Sequence, residues 1–336
     1  MLFESANKSL SRKYGVVYAN FAFKTVLMGA IYNLWGLKRR SHSSLIDREN
    51  VLSYSVPMSE PTSQWQRLLK NNGTWQGSFT QLSPDGLQLS DTPTEVALLP
   101  YDENRAMRQE IRRYPQADYQ GQPSETVLDY RSLSRSTLFF EDGAFSQGST
   151  QWGPFSEFGA ELGLIAGQRR LRVVELFDKS GELSQVTLIR EKLKGSDAPV
   201  RAPLKIADLL GTWQGESVTQ YADLRPEKTQ STQLKIEQEA DSTVRQTLML
   251  SEQRLMSTTG RLIGNRLSFT QGSQLMQVLL LPDGATATCP RCITPRKPLI
   301  LEAGWLLDAN TRQRIIRTYD ASGAWVSLTL VEEKKV

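Results

Sequence analysis

The pentapeptide Gly-Thr-Trp-Gln-Gly at residues 73–77 returns unchanged at residues 211–215 of this 336-residue chain. Further matches follow it in register, since an Arg-x-Arg pair at residues 170–172 returns at residues 312–314. A match that continues through most of the chain indicates an internal repeat and not a coincidence of five letters. The sequence therefore predicts two copies of one domain.

Polar and apolar side chains alternate along the segment that each pentapeptide begins. Trp75, Gly77 and Phe79 fall on one face of the first segment, which is the period-two pattern of a strand with one buried face. Asp-Gly and Ser-Gly turn signals, for example at residues 142–143 and 322–323, separate later segments of the same kind. The two copies are therefore predicted to consist of antiparallel strands.

A short helix is predicted just before each pentapeptide. The first begins at Ser59 and has Trp65 and Leu68 at helical spacing, and the second is an apolar turn at residues 206–210. The predicted fold class is therefore all-β, with two tandem antiparallel β-barrels, each preceded by a short helix.

The repeat also sets the predicted domain boundaries. The first barrel covers residues 58–193, a linker rich in proline and glycine covers residues 194–203, and the second barrel covers residues 204–336. Residues 1–57 match neither copy and are interpreted as an N-terminal extension outside the fold. A membrane anchor and an organellar targeting segment are the alternatives. Lys24 interrupts the apolar part of this extension, so no firm membrane span is predicted.

Composition excludes several classes of function. Residues 1–57 hold eight of the 40 Lys and Arg but only three of the 36 Asp and Glu, so the repeated body is nearly neutral and no nucleic-acid partner is predicted. The only histidine, His42, lies outside the repeats, which argues against histidine-based catalysis and a metal site. Two cysteines exclude a disulfide framework. We expect the cytoplasm, or the plastid stroma if the extension is a transit peptide.

Charged residues concentrate on one face of a predicted hairpin in the second copy. If the hairpin turns over residues 308–310, Glu302 and Gly304 share a face with Arg312 and Arg314, and Glu302 lies diagonal to Arg314. The glycine leaves space, and the guanidinium groups suit a ligand carboxylate. This face is the candidate ligand site.

The first copy carries a similar set of residues. A turn at residues 166–167 is predicted to place Glu161 opposite Arg172, on the face of Arg170 and Gly163. Both copies are thus expected to present two arginines, a glutamate and a glycine on one side of neighbouring strands.

A Gly-x-Trp sequence on the first strand of an antiparallel barrel resembles the lipocalins and fatty-acid-binding proteins, together called calycins. The resemblance implies that Trp75 and Trp213 close the barrels. It also implies that one arginine of each pair stacks on the indole, a contact of about 0.5–2 kcal/mol. The whole of residues 58–336 resembles an uncharacterised cyanobacterial and plastid family of tandem calycin barrels.

Residues 305–314, with a tryptophan followed by Asn-x-Arg-x-Arg, resemble a hairpin of the S-type phycobilin chromophore lyases. That resemblance implies that Arg312 and Arg314 meet the propionates of a bilin, a linear tetrapyrrole, and that Glu302 is the acid near its pyrrole nitrogens. It also implies that Trp305 belongs to the site, although the predicted register puts Trp305 on the opposite face.

The two cysteines form a Cys289-x-x-Cys292 motif that is predicted to lie in a loop. One pair supplies too few ligands for structural zinc. A reversible disulfide or a transient bilin thioether is one interpretation, and ordinary loop thiols are the other.

The preferred function is the binding of a small hydrophobic or amphipathic ligand, with a bilin as the ligand and a phycobiliprotein or another photosynthetic protein as the partner. A lyase-like carrier or chaperone would act mainly by positioning the chromophore. The alternatives are a fatty-acid or carotenoid carrier and a scaffold with filled barrels. The candidate ligand-binding residues are Arg312, Arg314, Trp305, Arg170, Arg172 and Glu161.

Overall fold

The computed structural model describes residues 62–240, 242–251 and 254–336. In this part of the chain no helix is long and apolar enough to cross a membrane. The interpretations of residues 1–57 concern a segment outside the described residues, and they remain predictions, as does the cellular compartment.

Nine antiparallel strands form the first sheet, in the order β4-β3-β2-β1-β9-β8-β7-β6-β5. The sheet curls into an open half-barrel with β4 and β5 as its edges. The strands are β1 Gly73–Leu82, β2 Gln88–Tyr101, β3 Ala106–Arg113, β4 Ser124–Tyr130, β5 Thr137–Phe139, β6 Phe145–Gly148, β7 Phe158–Ala166, β8 Arg169–Phe177 and β9 Leu183–Leu193.

Ten antiparallel strands form the second sheet, which closes into a barrel where β19 pairs with β10. The strands are β10 Gly211–Tyr221, β11 Lys228–Ala240, β12 Thr243–Leu250, β13 Arg254–Ile263, β14 Arg266–Phe269, β15 Met276–Leu280, β16 Ala285–Pro290, β17 Leu299–Leu306, β18 Thr311–Tyr319 and β19 Trp325–Lys335. The predicted all-β fold with two barrel-like sheets is confirmed.

A short helix precedes each sheet, as predicted. Helix α1, Gln64–Leu68, is capped by the Ser63 side chain and runs into a 3₁₀ turn, and α2 is Ile206–Leu209. The N-cap lies four residues after the predicted helix start. Each helical segment accepts a hydrogen bond from the buried indole of its pentapeptide, because Trp75 donates to the Asn71 carbonyl (2.9 Å) and Trp213 to that of Leu209 (2.8 Å).

Both glycines of the pentapeptide are required by the backbone. The first has a positive φ, +113° at Gly73 and +122° at Gly211, which favours glycine. The second lies against the last strand of its sheet, where a β-carbon on Gly77 would approach the Arg190 carbonyl oxygen to 1.7 Å. The same atom on Gly215 would lie 1.9 Å from the corresponding oxygen of β19. The repeated sequence thus closes the first strand onto the last.

Replacing Gly215 with alanine should therefore destabilise the protein by about 2–3 kcal/mol, because β10 and β19 would have to separate. Gly153 provides the control, since a β-carbon there meets nothing within 4 Å. Urea unfolding of the two variants measures the difference. Equal midpoints for Gly215→Ala and Gly153→Ala would contradict the assigned close approach.

The largest apolar cluster of the described residues lies between the two sheets and not inside either one. It joins the outer faces of β7, β8 and β9 to those of β15 to β19, and β7 and β8 pack against β16, β17 and β18. Ile315 and Tyr319, on the outer face of β18, are fully buried in it. The two sheets therefore share one core.

Polar contacts also stabilise the interface between the two sheets. Arg317 is fully buried, stacks on the ring of Trp325 at 3.7 Å, and donates to the Ser136 and Ser149 carbonyls of the first sheet (both 3.2 Å). The Tyr319 hydroxyl donates to the Ser149 carbonyl (2.8 Å). These carbonyls satisfy a guanidinium that is held away from water.

One buried carboxyl in this interface is poorly satisfied. Glu175 of β8 is fully buried, and neither of its oxygens has a hydrogen-bond partner of good geometry among the described residues. Burial raises the pKa of Glu175 well above its usual value, and the nearby charge of Glu302 raises it further, while the Cys289 thiol acts in the opposite direction. Folding therefore favours the protonated form of Glu175.

Because its pKa is raised in the folded state, the cost of burying Glu175 is smallest below about pH 4.5. This cost to the free energy of folding increases as the pH rises above that value. Glu175→Met should therefore stabilise the protein by about 1–3 kcal/mol at pH 8 and by less at pH 4.5. Denaturation curves at both pH values, with exposed Glu182→Met as the control, measure this. A stabilisation that does not change with pH would contradict the protonation assignment.

Candidate functional site

A buried ion-pair cluster lies inside the second barrel, directly above the pentapeptide tryptophan. The Arg312 guanidinium stacks on the Trp213 ring, 4.6 Å from its centroid. Its Nε donates to the Glu333 carboxylate on β19 (2.5 Å). Arg312 is thus held between an indole and a carboxylate, as the resemblance to calycins implies for one arginine of each pair.

Arg314 is the second arginine of this cluster. It lies two residues further along β18, towards the end of the barrel opposite α2. Its Nε donates to the same Glu333 oxygen (2.9 Å), and its Nη1 lies 3.4 Å from Glu302 Oε2. The last distance is long for an ion pair. The Arg314 and Glu302 side chains, 10 % and 12 % exposed, are the most accessible groups of the cluster.

The first sheet contains the same cluster, in which the pair equivalent to Arg314 and Glu302 is closer. Arg170 stacks on Trp75 at 4.5 Å and donates to Glu191 (2.7 Å). Arg172 donates to Glu191 (2.8 Å) and to Glu161 (2.6 Å). Each cluster therefore pairs two guanidiniums with two carboxylates, which leaves it neutral overall.

The predicted hairpin of the second copy is correct, and that of the first copy is wrong by two residues. In β17 and β18, Gly304 lies opposite Arg314 and Glu302 is diagonal to it. In β7 and β8, Arg172 lies opposite Gly163 and not opposite Glu161. The turn falls one residue later than predicted, because Gly167, with φ +58°, takes its first position. A shift of two preserves the face of every side chain.

The carboxylates that hold both arginines, Glu191 and Glu333, were not predicted from the sequence. They are 5 % and 2 % exposed and lie opposite Arg170 and Arg312 on the last strand of each sheet. A signal was available, because a Glu-Lys pair at residues 191–192 returns at 333–334 as part of the repeat.

The cluster electrostatics favour the charged state of these carboxylates. Burial raises the pKa of Glu191, but attraction to Arg170 and Arg172 outweighs it and lowers the pKa to about 2. Burial also opposes ionisation of Glu333, and its two arginine neighbours lower its pKa overall. The ion pairs therefore persist across the physiological pH range.

Trp305 lies away from the arginines, on the outer face of β17. It is fully buried in the core between the sheets, donates to the Asp283 carbonyl (3.0 Å), and stacks against Arg169 of the first sheet at 4.8 Å. A ligand inside the barrel at Arg314 cannot also contact this indole, so the structure does not bring Trp305 into the cluster.

The predicted loop position of the cysteine motif is wrong for Cys289. Cys289 belongs to β16 and is fully buried between the sheets, where burial and the Glu175 carboxyl raise its pKa well above the usual value. The error arose because Pro290, read as a loop residue, ends the strand instead. Cys292 is half-buried, and burial and Glu182 raise its pKa to about 11. Neither thiol is activated as a nucleophile.

Along β18 beyond the cluster, the inward side chains are more accessible than the outward ones. Ile316 and Thr318 point inward beside Arg314 and are partly exposed, whereas Ile315 and Arg317 point outward and are fully buried. Within a closed barrel, exposure of inward side chains means that solvent reaches the interior. Further inward residues with partial exposure are Leu250, Thr288, Ile300 and Thr329.

The layer above the cluster differs between the copies. In the first sheet Phe79, Val174, Leu176 and Ile189 form an apolar cluster there. In the second barrel two of these positions are occupied by the smaller, polar side chains of Ser217 and Thr318. The other two positions, equivalent to Val174 and Ile189, hold Ile316 and Val331. At this level the first interior therefore carries two larger apolar side chains where the second carries two smaller polar ones.

The described residues contain no group of three or more His, Cys, Asp and Glu side chains that could hold a metal ion. The chemistry that the second interior offers consists of guanidinium donors and carboxylate acceptors on its floor, with apolar and hydroxyl groups on its walls. These groups suit binding of a molecule that has both apolar and polar parts.

Glu333→Gln should cost about 3–5 kcal/mol of stability, because two buried guanidiniums would lose their shared countercharge. In the wild type, the lowered pKa values of Glu191 and Glu333 mean that this stabilisation is complete above about pH 4.5 and is lost as the pH falls. Denaturation midpoints from pH 7 down to the acid limit measure both effects. A variant as stable as the exposed control Glu332→Gln would contradict the assigned role.

Comparisons with known proteins agree with this architecture. Residues 61–196 match the N-terminal model of a domain of unknown function, DUF3598, and residues 200–336 match the C-terminal-domain model of biogenesis factor required for ATP synthase 1. A DUF3598 protein of unknown function from Nostoc punctiforme is 43 % identical, with 82 % of this chain and 100 % of that chain covered and a TM-score of 0.77.

A more distant likeness is to the S-type phycobiliprotein lyase CPES from Guillardia theta. It is 14 % identical over 39 % of this chain and 90 % of that chain, with a TM-score of 0.33. Among proteins with curated descriptions, none matches the chain.

Proposed function

The chain belongs to the DUF3598 family, and from the accessible interior of its second barrel we propose that it binds a small amphipathic molecule there. The observation that carries the proposal is the reversal of burial along β18, where inward Ile316 is partly exposed and outward Ile315 is fully buried. Ile316 does not belong to the apolar cluster that fills the α2 end of this barrel, so the interior at its level is free to hold a ligand.

The side chains that line this interior indicate the kind of ligand that it suits. Arg314 and Glu302 provide a donor and an acceptor side by side, and their 3.4 Å separation leaves room for a ligand group to take part in the pair. Ile300 and Ile316 provide apolar wall, and the hydroxyls of residues such as Thr318 provide polar wall. A molecule with an apolar body and an ionisable end fits both.

A linear tetrapyrrole is our preferred ligand. Its propionates and pyrrole N–H groups are complementary to Arg314 and Glu302, and the lyase-like sequence of residues 305–314 includes this arginine. Arg312 is a weaker candidate, because Trp213 and Glu333 already hold its guanidinium. The protein would act as a carrier or chaperone for a phycobiliprotein or another photosynthetic protein, with shielding and positioning as its contribution.

We assign the ligand to the second barrel and a structural role to the first. Arg172 and Glu161 form a short ion pair of 2.6 Å beneath the apolar layer that includes Leu176 and Ile189. A ligand entering the first interior would have to displace this layer.

Filling the second barrel with the residues that the first barrel uses tests the proposal. Ser217→Phe with Thr318→Leu copies Phe79 and Leu176 and should abolish binding while the protein stays folded. Glu216→Phe adds the same ring at an exposed outer position and should leave binding unchanged. Titration with phycocyanobilin, followed by absorption, and with a fluorescent fatty acid measures both ligand classes.

The expected result is a bilin absorption shift in the wild type and in Glu216→Phe that the filled variant lacks. Fatty-acid or carotenoid carriage would instead appear as fatty-acid binding, or as carotenoid in native mass spectra of the purified protein, without a bilin shift. Binding of neither ligand by the wild type, or equal binding by the filled variant, would contradict the assigned site.

Assembly of a protein complex is a second candidate function. The observation in its favour is the match of residues 200–336 to a model named for a factor required for ATP synthase. In that case the wild type and the filled variant would bind purified ATP synthase subunits equally, because the outer surface of the barrel would carry the interaction.

A further inference from the structure

Exposed apolar side chains gather at the end of the second barrel that lies opposite α2. Leu224 is 75 % exposed on the loop between β10 and β11, and Leu275 is 42 % exposed on the loop between β14 and β15. Leu255 and Met256, 67 % and 47 % exposed, belong to the start of β13 at the same end. We call these four residues, with loop residues 291–298, the mouth rim.

The hairpin of β12 and β13 projects beyond its neighbour. β14 pairs with β13 only from Gly260 to Ile263, so residues 254–259 continue past the end of β14. Six residues of strand correspond to roughly 20 Å. Met256 lies opposite Leu248, which faces the interior, so the apolar surface of the rim continues into the barrel.

Two cations stand beside this apolar surface. Arg296 and Lys297 are exposed on the loop between β16 and β17 and form no ion pair with described residues. Their loop is fixed next to Leu275, since Gln274 donates to the Pro298 carbonyl (2.8 Å). Arg296 has a φ of +60°, an uncommon conformation for a residue other than glycine.

Several acidic groups at this end already have partners. Asp223 lies 3.7 Å from Arg225, and Glu227 pairs with Arg67 of α1 (2.8 Å). Asp320 accepts hydrogen bonds from its own turn. Within the 291–298 loop, Arg291 pairs with Asp85 (3.3 Å), whereas Arg296 and Lys297 keep charges that no described carboxylate cancels through an ion pair.

We propose that the mouth rim docks on the surface of a membrane that contains anionic lipids. The apolar side chains enter the boundary between headgroups and acyl chains, and Arg296 and Lys297 meet the phosphates. An exposed apolar group flanked by unpaired cations has the chemistry of an interfacial contact and not that of an ordinary soluble surface. Docking in this orientation opens the second barrel towards the lipid.

Flotation with lipid vesicles tests the proposal with the full chain and without any ligand. The wild type should float with phosphatidylcholine vesicles that contain about 30 % phosphatidylglycerol and should bind phosphatidylcholine alone about tenfold more weakly. Reversal of both cations, Arg296→Glu with Lys297→Glu, should lower binding about tenfold, and so should higher salt.

The contribution of the apolar rim side chains is tested by Leu255→Glu with Met256→Glu, which should also reduce flotation. Leu87→Glu with Leu89→Glu is the matched control, because these leucines are at least as exposed, at 67 % and 64 %, and lie in the first copy at the start of β2. All four positions are at the surface, so melting temperatures should not change. Ligand titration of the same variants separates loss of docking from loss of the proposed binding site.

Absence of wild-type flotation, or an equal loss in the Leu87 and Leu89 control, would overturn the proposal. The proposal would also be overturned if the wild type did not bind vesicles but bound ATP synthase subunits through the same rim residues. The rim would then be a protein interface.

Discussion

The structure depends on an apolar core that lies between its two sheets. Strands of an ordinary barrel bury their inner face and expose the outer one, but β8 and β18 are buried against the opposite sheet on their outer face. Ile315 and Tyr319 belong to this shared core, and no water reaches them. The hydrophobic free energy of folding therefore comes largely from joining the two copies, so each interior can hold polar groups.

The polar groups inside each copy occur as a neutral set. Burying a lone guanidinium is costly, and a buried ion pair adds little net stability compared with apolar packing. Their contribution is geometric, because Arg170 and Arg312 are fixed between an indole and a carboxylate that come from the first and last strands. The closure that begins with the glycines of the pentapeptide is completed by these contacts. Arg314 and Glu302, which are 8 % and 9 % exposed, are the most accessible part of this rigid floor.

Divergence between the copies suggests a division of labour. The floor is repeated residue by residue, but the layer above it changes from Phe79 and Leu176 to Ser217 and Thr318. At this level the first interior carries two larger apolar side chains and the second carries two smaller polar ones. The repeat thus keeps the ion-pair floor and varies the layer above it.

Much of the fold was predictable from sequence, because the repeat, the alternation of side chains and the turn residues all agree. The hairpin of Arg312 and Arg314 was predicted in its correct register, since its turn has one consistent solution. The hairpin of Arg170 failed by two residues, because the glycine could occupy either turn position. Glu191 and Glu333 were missed although they repeat, since the prediction considered only the two strands of each arginine hairpin and not the strand that follows them.

The shared core was not predictable for a different reason. A period of two shows that a strand has two unlike faces, but it does not say which face is inside a barrel. Trp305 and Cys289 were consequently interpreted as site residues when they lie between the sheets. Only the packing of one copy against the other decides this question.

Thiol labelling of single cysteines on the two faces of β18 tests the central claim most directly. In a Cys292→Ser background, Ile316→Cys should react with a small water-soluble maleimide in the native state, because it faces the accessible interior. Ile315→Cys should react only after unfolding, because it lies in the shared core. Protection of both, or faster labelling at residue 315, would contradict the open interior and the core between the sheets.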